Sequence, residues 1–279
     1  MIKIFVRSAA LTVALGLGQQ VSAEAINPSL DDQFTFRLGY QRNELEGDIT
    51  ISRPPLPEIP VDLGVMGLDG ETDSAWLSFR WRFSEKWALS FIYDRFQEDG
   101  SNGGVLGSFP WDGEEIPVGA RLESHLKADA YIINLSYAFY KNDHAEFGAG
   151  IGLHAFDLEA DLRAYLMVDD VDVELTDPDS GPAADLIAPV PNLRLYGIYA
   201  FGPKTSLRAD AGWLSANYDD YEGAFTYLSA SVEYRFTARL GAGIGYKYTN
   251  VDLTYDPGNK KDEFDFKFDG AQVYLTYSF

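Results

Sequence analysis

Ten stretches of this sequence alternate apolar and polar residues with a period of two, which restricts them to strands with two unlike faces. In the last, Ala271, Val273, Leu275, Tyr277 and Phe279 alternate with Gly270, Gln272, Tyr274, Thr276 and Ser278. In another, Tyr131, Ile133, Leu135, Tyr137 and Phe139 alternate with Ala130, Ile132, Asn134, Ser136 and Ala138. The same pattern recurs at 34–40, 75–83, 87–93, 147–153, 193–201, 207–213, 228–236 and 240–246. Helix periodicity is weak throughout; the stretch 157–168 carries some, and reads as strand extension and loop.

The connections alternate as well. Short ones fall at Ser84-Glu85-Lys86, at 141–144, at Gly202-Pro203-Lys204 and at Thr237-Ala238-Arg239, and longer polar ones at about 43–70, 97–120, 160–188, 218–222 and 254–262. Short turns at one end and long loops at the other fit antiparallel strands closed into a membrane barrel. A soluble sandwich would alternate too, but it has no reason to gather aromatics at one end of its strands. Here Phe83, Trp87, Phe139, Phe147, Phe201, Phe236 and Phe279 all stand beside the short turns on the apolar face, as an interfacial girdle would. The apolar run from Tyr131 to Phe139 covers about 25–30 Å along a strand, close to the apolar band of such barrels once tilted. The expected fold is therefore all-β: a transmembrane antiparallel up-and-down β-barrel of about ten strands, with eight or twelve as the neighbouring even counts.

Residues 1–23 read as a signal peptide: Lys3 and Arg7, an apolar stretch at 9–18, and a Val21-Ser22-Ala23 cleavage site. The apolar stretch is too short for a membrane helix. The expected organisation is a signal at 1–23, a short periplasmic segment at 24–32 and a barrel at 33–279. With the terminal strand 272–279 ending in Phe279, the chain resembles the integral outer-membrane β-barrel proteins of Gram-negative bacteria. The resemblance is to the small-barrel architecture and to no single family. It implies an outer-membrane location with both termini periplasmic, and contacts with outer-membrane lipid and lipopolysaccharide. It also implies a biogenesis signal at Tyr277 and Phe279, read by the barrel-assembly machinery. Unlike siderophore transporters, no plug domain is expected ahead of the first strand.

The 279 residues hold 22 Lys+Arg against 43 Asp+Glu, a formal net charge of −21, and a surface of that sign repels nucleic acid. Cysteine is absent, which excludes disulfides, thiolate metal sites and thiol catalysis. Most of the acids fall in the loop windows, where the only bases are Arg53, Arg163, Lys260 and Lys261. No resident cofactor is expected. The one candidate cation site is Asp169, Asp170, Asp172 and Glu174, with Asp177 and Asp179 nearby, whose oxygens suit Ca²⁺ or Mg²⁺. The alternative is a solvated acidic surface.

Parity puts a second set of charges inside the barrel: Arg37, Arg80, Arg82, Asp94, Glu146, Arg194, Arg208, Asp210, Glu233, Arg235 and Lys247, with His154. Most lie near the short-turn end. Unpaired charges in a narrow lumen are costly, so arginine–carboxylate pairing and a constriction at the periplasmic mouth are expected. Two inward glycine ladders, Gly148/Gly150/Gly152 and Gly241/Gly243/Gly245, either clear a solute path or receive bulky neighbours such as Trp76, Tyr196, Phe225 or Tyr227.

Some small outer-membrane barrels that resemble this one act on lipid A or peptides. His125 stands beside Glu123 and Ser124, but adjacent strand residues face opposite ways. His144 sits in a turn. His154 is expected near the upper rim, within reach of Asp157 or Asp219-Asp220. The sequence thus points to a non-enzymatic barrel, structural or a narrow porin-like channel for small solutes. The alternatives are a lipid A- or peptide-acting enzyme and a surface recognition or adhesion protein presenting the proline-rich loop 53–60.

Overall fold

The computed structural model describes residues 26–68, 70–169, 171–176 and 184–279. The expected signal at 1–23 lies outside these residues, as do Asp170, Asp177 and Asp179.

Ten long strands close into one antiparallel ring: β1 (Phe34–Ser52), β3 (Gly70–Arg82), β4 (Trp87–Asn102), β7 (Arg121–Lys141), β8 (Ala145–Val168), β10 (Ala184–Ala200), β11 (Thr205–Tyr218), β12 (Tyr221–Arg235), β13 (Leu240–Tyr255) and β14 (Lys261–Ser278). Each pairs with its sequence neighbour among the ten, and β14 returns to β1. Backbone bonds in both directions between Phe34 and Phe279 finish that seam. Short strands β2 (Val61–Asp62) and β9 (Val171–Glu174) extend the sheet, while β5 (Phe109–Trp111) and β6 (Glu114–Ile116) form a separate hairpin.

On the outside, an apolar belt runs round the short-turn half. Leu38, Leu77, Ile133, Ile151, Leu195, Leu228, Ile244 and Leu275 are exposed along it, and the seven girdle aromatics ring its lower edge, Phe279 at 51% exposure. A second aromatic ring marks the upper edge, at Tyr40, Tyr131, Trp213 and Tyr246. Tyrosines there bond to the first outward aspartates above the belt: Tyr93 OH donates to Asp129 at 2.9 Å, Tyr246 pairs with Asp269, and Tyr40 with Asp73.

Above that edge the two faces exchange character. On β7 the outward residues become Asp129, Lys127, His125, Glu123 and Arg121, while Leu126 and Leu122 point inward and are fully buried. On β8, Leu158, Ala160 and Leu162 are buried, and Glu159 pairs with Lys127 across the wall. Much of what reads as acidic loop is thus strand: β1 continues to Ser52 and β8 to Val168, with their acids on the outer face. This upper half is built like a soluble protein, polar outside and apolar within.

The upper interior is a hydrophobic core. Leu45, Ile49, Phe264 and Phe266 from the wall meet Leu63, Met66, Trp111 and Ile116 from the β1–β3 and β4–β7 connections. Each such side chain, fully buried, contributes about 1.5–3 kcal/mol. The helical turn α2 (Leu63–Met66) is capped by Asp62, whose carboxylate accepts from Gly64 N, and by left-handed Gly67. A Cβ on Gly67 would stand 2.4 Å from the Ser101 carbonyl oxygen, so glycine lets this connection lie directly on β4. Ser124 Oγ donates to the Met66 carbonyl at 2.9 Å and Asn102 Nδ2 to that of Val65. Arg53 ties the same lid down through Asp262 at 2.6 Å and Asp112 at 3.0 Å.

Candidate functional site

The inward charges form a layer across the short-turn half, and their grouping follows one rule: each carboxylate is shared by two arginines. Glu233 lies 3.1 Å from Arg37 and 2.9 Å from Arg235. Glu146 lies 2.8 Å from both Arg80 and Arg82. Asp210 pairs with Arg194 and accepts from Arg208 Nε at 2.9 Å. All three acids are buried. Lys247 stands apart, paired at 2.8 Å with Asp94. Six arginines against three carboxylates leave this layer cationic, in surroundings where an uncompensated charge is expensive.

The N-terminal segment, which carries no charge–parity signal, completes the layer. Helical turn α1 (Pro28–Asp31) turns into the mouth of the barrel, with Leu30 fully buried against Tyr196, Ile198 and Ala200. Ser29 Oγ donates to Glu233 at 3.1 Å, Arg80 donates to the Ser29 carbonyl, and Asn27 Nδ2 donates to the Gly202 carbonyl at 2.8 Å. Asp32 bonds to Ser278, on the side of Arg235. A cap residue followed by proline, Asn27-Pro28, is a helix-start signature and the one local signal of this turn.

Between the ionic floor and the upper core lies a cavity of about 220 Å³. Its floor includes Arg37, Arg80, Arg194, Arg208 and Asp210, and its upper wall Phe96, Phe156, Phe225, Phe266 and Phe268. Aromatic rings lie over inward glycines around it: Cβ atoms built on Gly39, Gly148, Gly212 and Gly243 would stand 2.0–2.4 Å from Trp76, Tyr196, Tyr227 and Tyr274. In the two ladders Gly148 and Gly243 thus receive rings, while Gly150, Gly152, Gly241 and Gly245 are closed by backbone and by smaller side chains such as Ser136, Asn134, Asn192, Thr276 and Ser231.

The histidines are placed differently from one another. His154 is not at the upper rim near loop acids: it lines the cavity, 2.6 Å from Asn192 Nδ2, with its ring centre 4.3 Å from that of Phe225. Asp157 shares its strand but has the opposite parity, and Asp219 and Asp220 stand at the β11–β12 turn. His125 lies on the outer face, 2.6 Å from Asp99, a partner on β4 that sequence spacing could not reveal. Ser124 points the other way, and Glu123 pairs with Arg121. His144 is exposed in its turn. At the expected cation site, Asp169 occupies the β8–β9 turn and Asp172 pairs with Arg121 at 3.2 Å, with Glu174 at the end of β9. Among the described residues no group of three or more acidic or histidine side chains is arranged to hold a metal.

These features define a ten-stranded antiparallel barrel with an outward apolar belt and, among the described residues, a lumen crossed by an ionic layer below and an apolar core above. No protein-family model matches the chain, and no curated protein does. Among solved structures it is similar to the outer membrane protease OmpT from Escherichia coli, over 88% of this chain and 97% of that one, at 10% identity and a TM-score of 0.47. The P. putida toluene transporter TodX is similar over 91% and 92%, at 11% identity and a TM-score of 0.33. Neisserial surface protein A is similar over 88% and 97%, at 11% identity and a TM-score of 0.29.

Proposed function

We infer that this protein is an integral outer-membrane barrel whose lumen is shut at rest, a structural and binding element rather than a standing pore. The observation that carries the reading is the double closure inside an apolar belt: turn α1 bonded into the ionic floor at one end, and the Leu63/Met66/Trp111 lid packed into the apolar core at the other. The belt with its two aromatic rings supports lipid burial of the lower half, since exposing it to water would forfeit its transfer free energy. The cationic floor supports counter-ion holding more than free passage, because its arginines are committed to shared carboxylates. A non-catalytic role is supported by Ser124 and His125 facing opposite sides of the wall.

The reading is tested in proteoliposomes. Brominated lipid chains are expected to quench the tryptophans of the belt, Trp81, Trp87 and Trp213, and the liposomes are expected not to swell in small sugars or amino acids. Rapid swelling by the wild-type protein would overturn the closed-lumen reading, and unquenched tryptophans would overturn membrane insertion.

A further inference from the structure

The barrel wall is split on one side. β10 and β11 pair from Ala200 and Ser206 up to Leu193 and Trp213, and no further. Above that rung residues 184–192 stay on β8 and residues 214–218 on β12, and among the described residues no other strand joins either edge. The sequence builds this ending. Ala200 N donates to the carbonyl of His144, just before β8, and Phe201 N to that of Thr205 on β11, so the odd-numbered amides of β10 face β11. The next two above Leu193 are Pro191 and Pro189, which have no N–H to donate.

The split starts at the upper edge of the apolar belt, at exposed Leu193 and Trp213. Register sets His154, Phe156 and Leu158 of β8 beside Val190, Ala188 and Leu186 of β10, and Phe225 of β12 beside Leu214 of β11. His154, Phe156, Leu158 and Phe225 line the cavity, and the His154 and Phe156 rings lie 4.3 and 5.6 Å from that of Phe225. Strands β8 and β12 thus meet inside the barrel behind two edges that do not meet in its wall.

We propose that the split is a lateral portal through which a small uncharged apolar solute passes between the membrane interface and the cavity. The described side chains on that route are mainly apolar: Leu193 and Trp213 at the belt edge, then Phe225, Phe156 and Leu158. A solute dissolved in lipid reaches them without exposing its apolar surface to water. The prolines keep the edges from zipping shut and from recruiting a foreign strand. Size agrees: a cavity of about 150 Å³ holds benzene, and this one measures about 220 Å³. The proposal rests on burial of the belt in lipid, which tryptophan quenching tests separately, and it leaves the ionic floor intact.

Amide exchange of the full barrel in lipid nanodiscs reads the split without a ligand. The amides of Ser215 and Asn217, which point toward β10 by the same alternation, are expected to exchange readily while those of Ala209, Ala211 and Trp213 are protected. Pro189→Val/Pro191→Val returns both donors and is expected to protect Ser215 and Asn217. Fluorobenzene, followed by fluorine NMR, then probes the portal. A saturable bound signal is expected, one per barrel and absent from empty discs, and Ser229→Phe, which fills the cavity, is expected to abolish it. The proline variant is expected to slow exchange of the bound probe about tenfold at unchanged affinity, the scale of one or two backbone hydrogen bonds that must break on entry. Should that variant not fold, a dibromobimane bridge closed after folding in Pro191→Cys/Ser215→Cys is expected to slow exchange likewise, in a chain with no cysteine of its own. Protected Ser215 and Asn217 amides in the wild type would overturn the split, absence of a bound signal the cavity site, and probe exchange unchanged by closure the portal.

Discussion

Ser29 Oγ donates to Glu233 Oε1 at 3.1 Å, joining the first described turn of the chain to β12 across 204 residues. The bond makes the N-terminal turn a member of the ionic floor, because the same carboxylate holds Arg37 and Arg235. Glu233→Gln would leave two buried guanidinium groups sharing no anion. We expect it to destabilise the barrel by about 3–5 kcal/mol, read as the urea midpoint in vesicles, and Arg37→Met in the same chain to restore part of that. A neutral effect of Glu233→Gln would mean that the floor is not a coupled network.

Ring-on-glycine packing predicts a specific rescue. A Cβ on Gly212 would stand 2.0 Å from Tyr227 Cε1, and the nearest atoms around it all belong to that ring. Gly212→Ala should cost about 1–3 kcal/mol, the range for overpacking a filled site. In a Tyr227→Leu background the same change should cost far less, and equal costs in both backgrounds would place the strain elsewhere.

The upper outer wall carries a row of like charges: Asp62 faces Asp48, Asp48 faces Asp265, and Asp265 faces Asp252 on neighbouring strands. Partial burial, with the Asp62 and Asp265 carboxylates, pushes the pKa of Asp48 up, and burial with Asp265 does the same for Asp252. A carboxyl group whose folded pKa is raised destabilises the fold above that pKa and is relieved as pH falls through it. Asp48→Asn is therefore expected to stabilise by about 0.5 kcal/mol at neutral pH. The gain should vanish below about pH 4, near the unfolded carboxyl pKa. A gain independent of pH would rule out the charge origin.

Phe279 combines exposure on the belt with backbone bonds to Phe34, so its side chain and its seam can be separated. Phe279→Ala keeps the backbone bonds. If Tyr277 and Phe279 carry the assembly signal, the variant should reach the outer-membrane fraction several-fold less in cells, yet refold into vesicles like the wild type. Equal assembly in cells would leave Phe279 as a girdle aromatic only.

The strand set was legible because each strand's side chains sort by parity: Tyr131 to Phe139 outward, Asn134 and Ser136 inward. Parity also put Arg37, Arg80, Arg82 and Arg235 inside. Partnership was not legible, since Arg37 meets Glu233 only when the ring closes, and His125 meets Asp99 only through the β4–β7 register. The upper half misled for a physical reason. Phe156, Leu158 and Leu162 alternate with Asp157, Glu159 and Asp161 as regularly as any membrane strand, but the polar face there is the outer one, and dense acids read as loop. His154 lies well below the upper rim for the same reason, since β8 continues beyond it to Val168. Turn α1 had only its Asn27-Pro28 start to announce it.

The central claim, a lumen shut at both ends, is tested most directly by single-channel recording in planar bilayers. The wild-type barrel is predicted to be electrically silent, and a variant lacking residues 26–32, which removes Ser29 and Leu30 from the floor, to show discrete openings more often. Steady ohmic conductance through the wild-type barrel would contradict the account.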